Sequence, residues 1–476
     1  MSRALTLAGL LLTLGGAGWW LGGHRGDGSR PPYGGHPNIV LVVIDTLRAD
    51  HLGGYGYTRP TSRHLDALAA DGVRFAQAVT VAPTTFPSVS SLLTSISPLA
   101  FHSPAARNAG IPPEHVTLAE VFRMHGYRTA AVSGNPIVRR QPQGDGGFDQ
   151  GFDTFDEQCS APSLTEVAPH SAPCITRRAV AALDDLGRGP FFLYVHYLDP
   201  HHPYAPPLES NRFTSAYTGR WYIKRGLTGP IMWWLYQDGE DPGIGARDIE
   251  HLRDLYDGEI ASVDADLARL LDAFDRRGLR DDTLFVLTSD HGESLMEHRH
   301  MGHGASLYET ELHVPLIFHW RRRWSGTTVR PELVCTTDIM PTILALAGLP
   351  APESTQGRIL FATDSTRLPG GHACLSVGRV NWETMQAGLF GIRTDTEKLI
   401  YDPVADGYEL YALDADADEL RNELAAGTPP TSPRFTALRD RLATELGAAT
   451  TAAKAADGNA MDPQLRRALE SLGYVR

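Results

Sequence analysis

The sequence predicts an α/β protein with a doubly wound, mainly parallel sheet, followed by a smaller C-terminal antiparallel sheet and a helical tail. Residues 38–44 form a nearly continuous apolar, β-branched run, typical of a strand buried on both faces of a parallel sheet. Similar runs recur at residues 129–133, 191–196, 283–288 and 314–318. Helical patterns separate these runs, and this alternation indicates a doubly wound sheet.

The helical patterns lie at residues 61–78, 88–94, 117–124, 177–186, 249–276 and 338–346. In open α/β sheets, ligands bind beyond the carboxyl ends of the strands. Polar residues that stand at such ends are Asp45, His196, Asp199 and Asp290. We therefore expect a functional site at this edge of the sheet.

The sequence changes character after about residue 375. Short strand-like pieces at 388–392, 397–401 and 409–412 precede alanine-rich helical segments that continue to residue 476. We predict a catalytic domain over residues 37–375 and a C-terminal subdomain with a helical tail over residues 376–476.

Composition and charge restrict the function. The chain has 476 residues, of which 42% are hydrophobic and 21% charged, as in ordinary globular proteins. Its formal net charge of −13 argues against a nucleic-acid partner, which would need a basic surface. The composition does not predict an oligomeric state.

The N-terminal residues 1–23 are predicted to be a membrane anchor or a signal segment. Arg3 precedes an apolar stretch that ends near Trp19 and Trp20; roughly twenty apolar residues can span a bilayer. The absence of a clear small-residue cleavage site favours an anchor over a cleaved signal peptide. Residues 24–36 read as a flexible linker. The protein is expected to be exported, either anchored in the inner membrane and facing the periplasm, or periplasmic or secreted after cleavage.

The four cysteines fit no C-x-x-C metal motif. Disulfides are allowed in an exported protein. Cys159 and Cys174 flank one loop-like stretch and are the pair expected to form a bridge. Buried thiols are one alternative for Cys335 and Cys374, and the spacing leaves the connectivity open.

Three motifs together resemble the sulfatase branch of the alkaline-phosphatase superfamily. They are VVIDTLRADHLG at 42–53, APTTFPSVSSLLT at 82–94 and TSDHGE at 288–293. The resemblance extends from residue 37 to about residue 349. It implies an alkaline-phosphatase-like fold and cleavage of phosphate or sulfate esters at a metal ion.

Thr85 is the principal departure from the sulfatase pattern. The resemblance places it where a sulfatase has the cysteine or serine that is oxidised to formylglycine, and Val89 stands at the arginine position. Threonine cannot form the geminal diol of formylglycine, so we expect no formylglycine and an ordinary ester intermediate on Thr85. Such a site is similar to threonine enzymes of the superfamily, the nucleotide phosphodiesterases and the phosphoethanolamine and phosphoglycerol transferases.

A divalent cation would stabilise the charge that develops during ester cleavage and lower the pKa of the nucleophile. Asp45, Asp290 and His291 are the predicted metal ligands, together with the Thr85 hydroxyl. Each also has a purely structural interpretation, since an aspartate often caps a helix and Thr-x-Pro is common in turns. Carboxylates mixed with imidazole favour one zinc or manganese ion, with calcium and magnesium as alternatives.

Three further histidines are predicted to contact the substrate. His201 lies in a segment similar to the sulfatase segment on the leaving-group side, and is the candidate for protonating the leaving oxygen. His303 resembles a histidine of phosphoethanolamine transferases that faces the substrate phosphate or a second metal. His196 is assigned either to the substrate site or to the hydrogen-bonded core.

The resulting hypothesis is a metal-dependent hydrolase or transferase that acts through Thr85, with phosphoesters favoured. The ester is expected to be lipid-linked or glycan-linked. One alternative is a true sulfatase that acts without formylglycine. Another is a catalytically silent binding protein, which the retained metal ligands disfavour.

Overall fold

The protein is described by a computed structural model. The residues that it describes are 36–101, 110–141, 147–160, 170–187, 189–214, 216–228, 231, 243–361, 371–378, 388–424 and 432–457.

The main domain contains ten strands and eight α-helices within the described residues. The strands are β1 Asn38–Ile44, β2 Val73–Val79, β3 Arg128–Ser133, β4 Thr154–Asp156, β5 Phe191–Tyr197, β6 Thr283–Thr288, β7 Ser294–Leu295, β8 Met301–Gly302, β9 His313–His319 and β10 Thr328–Cys335. The helices are α1 Arg63–Ala70, α2 Thr85–Thr94, α3 Leu118–Met124, α4 Ala172–Leu186, α5 Trp221–Lys224, α6 Ala246–Arg277, α7 Glu309–Leu312 and α8 Ile339–Leu346.

Eight of these strands form one large mixed sheet in the order β10-β2-β9-β6-β1-β5-β3-β4. Its strand pairs are parallel except where β9 meets β2 and β6. Side chains of the central strand β1 point alternately into two hydrophobic cores. Ile39, Leu41 and Val43 lie in the first core. Val40, Val42 and Ile44 lie in the second. Helices α2, α3 and α8 contribute to the first core, and α1, α4 and α6 to the second. The predicted doubly wound fold is confirmed.

The predicted helix over residues 61–78 is wrong in its second half. Helix α1 ends at Ala70, and residues 73–79 form strand β2 between β9 and β10. Gly72 allows the close approach of the two segments, because a Cβ atom there would lie 2.5 Å from the backbone oxygen of Phe318. Pairing with both neighbouring strands outweighs the local helical pattern.

The C-terminal part forms the predicted small antiparallel sheet and helix. Strands β11 Cys374–Gly378, β12 Leu389–Arg393, β13 Glu397–Asp402 and β14 Gly407–Ala412 pair in sequence order. Helix α9, Pro433–Asp457, packs Phe435 and Leu442 against this sheet. Residues 458–476 of the predicted tail lie outside the described residues.

Both cysteine pairs are disulfides. The predicted Cys159–Cys174 bridge is present. The structure excludes the alternative of buried thiols at the other two positions, because Cys335 and Cys374 form a second bridge. This bridge joins the end of β10 to the start of β11, so it links the two sheets covalently.

The predicted N-terminal anchor and all of its linker except His36 fall outside the described residues. Among the helices that the structure describes, none has the length and apolar character needed to cross a membrane.

A buried ion network also joins the two sheets. Lys398 of β13 is 1% exposed, and its Nζ lies 2.7 Å from Glu309 in α7 and 2.7 Å from Glu419, which follows β14. Lys398 also donates a hydrogen bond to the backbone oxygen of Leu307 at 3.0 Å. The network therefore anchors the second sheet to the segment that follows His303.

We predict that Lys398→Met lowers the free energy of unfolding by about 3–5 kcal/mol, because it leaves the buried carboxylate of Glu419 without its cation and leaves Glu309 with Arg393 alone. Arg277→Met is the matched control; its partner Asp184 is 69% exposed, so the loss should stay below about 1 kcal/mol. Urea denaturation followed by circular dichroism measures both. Equal losses in the two variants would contradict the assigned role of Lys398.

Candidate active site

The candidate site lies at the carboxyl ends of the three central strands of the large sheet. Asp45 directly follows β1, Asp290 and His291 follow β6, and His196 lies near the end of β5. Strands β6, β1 and β5 are adjacent, which brings these residues together despite their distance in sequence. All four residues are 0% exposed.

Thr85 is the first residue of helix α2 and faces this group. Its Oγ1 lies 3.3 Å from Nε2 of His291. The first i→i−4 bond of the helix runs from the amide of Ser88 to the oxygen of Thr84, so the preceding amides are available for an anion. The Ser88 hydroxyl donates to the backbone oxygen of Asp290 at 2.5 Å and so joins α2 to the β6 loop.

In each of the two buried aspartates, Asp45 and Asp290, one carboxylate oxygen accepts hydrogen bonds and the other does not. Oδ1 of Asp290 accepts from the backbone amides of Thr46 and His291, at 3.2 and 2.9 Å. Oδ2 of Asp45 accepts from the side-chain amide of Asn135. Oδ1 of Asp45 and Oδ2 of Asp290 have no hydrogen-bond partner among the described residues.

Two imidazole nitrogens accompany these carboxylates. Nε2 of His291 lies 3.5 Å from Oδ2 of Asp290 and 3.9 Å from Oδ1 of Asp45. Nε2 of His196 lies 3.7 Å from Oδ2 of Asp45 and has no hydrogen-bond partner among the described residues. Asp45, His196 and Asp290 each offer a ligand atom within 4.8 Å of the others. Because buried carboxylate oxygens without partners are costly, this donor set fits a divalent cation.

The electrostatics of His291 support the same conclusion. Burial lowers its pKa, but the carboxylates of Asp290 and Asp45 outweigh burial, and the net pKa is raised. Nδ1 of His291 donates to the backbone oxygen of Gly292 at 3.0 Å, which leaves the lone pair of neutral imidazole on Nε2. The two carboxylates therefore favour a positive charge here, either a proton on His291 or a cation.

The backbone beside Asp45 is strained. Thr46 has a φ of 55°, in the left-handed region that β-branched residues rarely adopt. Its backbone oxygen accepts from the hydroxyl of Tyr256 at 2.6 Å, and its amide donates to Asp290. These contacts hold the turn after β1 in the conformation that directs the Asp45 carboxylate into the site.

His201 and His303 form a second imidazole group next to the first. The ring of His303 lies 4.3 Å from that of His291 and 5.0 Å from that of His201, measured between centroids. Burial, followed by the neighbouring His202, lowers the pKa of His201 to about 3. His201 is therefore neutral near pH 7. Burial and the adjacent His291 also lower the pKa of His303.

A protein-family model described as Sulfatase matches residues 37–349. The chain belongs to the sulfatase family. A second model, described as N-sulphoglucosamine sulphohydrolase, C-terminal, matches residues 297–447 and thus includes the small antiparallel sheet.

Curated relatives of this sulfatase-family chain are also sulfatases. Arylsulfatase K from Bos taurus is 27% identical over 435 residues, covering 83% of the chain and 79% of the relative. The Escherichia coli (strain K12) protein named uncharacterized sulfatase YidJ is 27% identical over 368 residues, covering 70% of the chain and 72% of the relative. The chain is accordingly a hydrolase of the sulfatase family.

Solved structures share the fold. One, described as a complex with its substrate D-glucosamine-2-N,6-O-disulfate, has a TM-score of 0.68 at 20% identity, covering 89% of this chain and 99% of the other. A phosphonate monoester hydrolase from Silicibacter pomeroyi has a TM-score of 0.66 at 21% identity, covering 90% of this chain and 96% of the other. These comparisons establish an alkaline-phosphatase-like fold for the family member described here.

The structure brings most of the predicted residues together, but it separates Asp199 from them. Asp199 accepts hydrogen bonds from the hydroxyl of Ser171 at 2.6 Å and the amide of Ala172 at 2.8 Å, so it stabilises the start of α4.

Val89, at the arginine position of the sulfatase pattern, is buried in the first hydrophobic core.

Sequence reasoning missed Asn135, His202 and Glu293. Asn135 lies two residues beyond β3, so its position at a strand end was the one available signal. His202 adjoins His201 in sequence, and Glu293 is the last residue of the TSDHGE motif. Neither has a spacing that distinguishes a functional side chain from a structural one.

We predict that Asn135→Ala weakens binding of Mn²⁺ or Zn²⁺ at the site by about 10–100-fold, because groups that orient a metal ligand typically contribute this much affinity. Competition with a chromogenic chelator measures the change. Asn211→Ala, which removes an amide on a distant loop, is the control and should leave the affinity unchanged. An unaltered affinity in Asn135→Ala would show that Asn135 does not position Asp45 for a cation.

Proposed function

We propose that the protein is a metal-dependent hydrolase or transferase that cleaves phosphate or sulfate esters through a covalent Thr85 intermediate, with phosphoesters favoured. The observation that carries the proposal is the position of the Thr85 hydroxyl. It stands at the start of α2, 3.3 Å from Nε2 of His291. That nitrogen lies 3.5 Å from Oδ2 of Asp290 and 3.9 Å from Oδ1 of Asp45, and neither of these oxygens has a hydrogen-bond partner among the described residues.

The residues proposed to hold the cation are Asp45, Thr85, Asp290 and His291, and the geometry adds His196 as a further candidate ligand. Carboxylate and imidazole ligands together favour zinc or manganese. When bound, the cation would neutralise charge on the ester oxygens and lower the pKa of the Thr85 hydroxyl.

The chemistry proposed for Thr85 takes place in two steps. Oγ1 loses its proton and forms a bond to phosphorus while the bond from phosphorus to the leaving oxygen breaks, and that oxygen takes up a proton. Water, or an acceptor hydroxyl in a transferase, then attacks phosphorus and restores Thr85. The free amides at the start of α2 would bind the non-bridging oxygens in both steps.

His196, His201 and His303 are proposed to contact the substrate. The rings of His201 and His303 lie 5.0 Å apart, and that of His303 lies 4.3 Å from that of His291; we propose that the leaving group emerges beside these two rings. Because His201 is neutral near pH 7 and its Nδ1–H donates to the backbone oxygen of His202, it could protonate the leaving oxygen only after substrate binding raises its pKa.

Phosphoesters are favoured because Thr85 lacks the second hydroxyl with which a formylglycine diol expels sulfate. Release from threonine requires attack at phosphorus or sulfur itself, and phosphoryl groups pass readily between oxygens at metal sites. Family membership supports sulfate esters as the second candidate. The phosphonate monoester hydrolase among the structural neighbours shows that this fold also accommodates phosphorus esters.

The substrate is proposed to be lipid-linked or glycan-linked. One structural neighbour is described in complex with a sulfated glucosamine, which supports a glycan. A membrane anchor at residues 1–23 would place the site near lipid-linked esters.

We predict that aryl phosphodiesters or phosphomonoesters are turned over faster than matched aryl sulfates. Thr85→Ala should reduce turnover on the order of a thousandfold or more, because it removes the nucleophile, while Thr85→Ser should retain part of it. Steady-state kinetics on a matched ester panel measure these rates. Thr94→Ala, which removes a buried hydroxyl at the far end of the same helix, is the control and should remain active.

Robust sulfate hydrolysis without phosphoester hydrolysis would reverse the order of the two candidate substrates. Full activity in Thr85→Ala would exclude the covalent mechanism. A protein that binds metal but hydrolyses no ester would favour the catalytically silent alternative.

We also predict that the full chain fractionates with membranes and that deletion of residues 1–30 releases it in soluble, folded form. The reason is the length of the apolar N-terminal stretch, which suffices to span a bilayer. Cell fractionation with immunodetection measures the distribution. An intact N-terminus on freely soluble periplasmic protein would rule out the anchor.

A further inference from the structure

We propose that Glu311 is a positioning residue, which holds His303 beside the candidate site and on which the rate of ester cleavage depends. Glu311 lies in the short helix α7 and is 0% exposed. It is not among the residues proposed to touch the cation or the ester. The inference rests on the proposed function, in which His303 contacts the substrate.

The carboxylate of Glu311 accepts two hydrogen bonds from the segment that follows His303. The backbone amide of Gly304 donates to Oε2 at 2.6 Å, and the hydroxyl of Ser306 donates to Oε1 at 2.6 Å. Gly304 directly follows His303, and its φ of 88° lies in the left-handed region that favours glycine. The carboxylate therefore holds the turn of the backbone immediately after His303.

Glu311 also contacts the segment that follows His291. Its backbone oxygen accepts from the amide of Gly292 at 2.8 Å, and its Oε1 accepts from the hydroxyl of Ser294 at 3.3 Å. One residue thus connects the segment after His291 with the segment after His303. The rings of these two histidines lie 4.3 Å apart, measured between centroids. We infer that the contacts of Glu311 maintain this separation.

The charge of Glu311 indicates a role in activity more than in stability. Its side-chain donors are two hydroxyls and one amide, and burial raises its pKa to about 7 in spite of them. Two charged neighbours also act on this pKa, since His291 lowers it and Glu293 raises it. Burying a carboxylate opposes folding. Groups that are unfavourable for stability are characteristic of functional sites.

Glu311→Gln tests this role with little change in shape, because it replaces one acceptor oxygen with an N–H donor. We expect kcat to fall about 10–100-fold for the ester that the unmodified chain turns over fastest, because a small displacement of a group near the reacting atoms costs this much. KM should change by less than about threefold, because Glu311 does not touch the ester. Steady-state kinetics measure both constants.

Glu120→Gln is the matched control. Oε2 of Glu120 also accepts a backbone amide, that of Thr117 at 2.9 Å, but at the start of α3. The control should leave kcat unchanged. Thermal denaturation shows whether each variant is folded. Unchanged kcat in folded Glu311→Gln would overturn the positioning role and leave the proposed function standing.

A double-mutant cycle shows whether Glu311 acts through His303. His303→Ala should lower kcat by removing the proposed substrate contact. Adding Glu311→Gln to His303→Ala should lower kcat no further, because the residue to be positioned is already absent. A further loss as large as that of Glu311→Gln alone would show that Glu311 acts by another route, and would overturn the proposal.

Crystal structures of the unmodified chain and of Glu311→Gln provide a test that needs no turnover. We expect the ring of His303 to leave its position 4.3 Å from the ring of His291 in the variant. An unmoved ring would overturn the positioning role. If the unmodified chain hydrolyses no ester in the panel, the proposed function fails, and the position of this ring alone then decides the role of Glu311.

Discussion

The candidate site depends on two buried aspartates, each with one carboxylate oxygen that has no hydrogen-bond partner among the described residues. Asp45 and Asp290 come from adjacent strands, and the donors around them satisfy one oxygen of each. Such an arrangement is unfavourable without a positive charge. The strained backbone of Thr46, the packing of α2 against the β6 loop, and the raised pKa of His291 are all consistent with a cation at this position.

The remainder of the fold holds this region in place. Strand β1 is buried on both faces, so the two hydrophobic cores hold the strand that carries Asp45 in place. The second sheet is fixed to the main domain by the Cys335–Cys374 disulfide and by the ion network of Lys398. That network contacts the segment just after His303, which connects the stability of the C-terminal part with the geometry of the imidazole group.

The sequence was sufficient to predict the central strands and the grouping of Asp45 with Asp290, because strand ends in an α/β sheet converge. The resemblance to the sulfatase family added Thr85 and His291 to this group. The sequence did not predict strand β2, because residues 61–78 have a helical pattern throughout. Residues 73–79 form a strand because they pair with β9 and β10. Asn135 and Glu293 were missed for another reason. A single polar residue has no periodicity, and only the fold shows that each contacts a candidate site residue.

The central claim is that Thr85 carries the transferred group. Its most direct test is rapid acid quenching of the enzyme during turnover of an aryl phosphoester, followed by peptide mapping at accurate mass, which separates phosphoryl from sulfuryl adducts. The account predicts a phosphoryl adduct on Thr85 that forms during turnover and disappears in Thr85→Ala. Sustained turnover with the adduct on another residue would contradict it. So would turnover without any adduct, under quenching conditions in which an authentic phosphothreonine peptide remains intact.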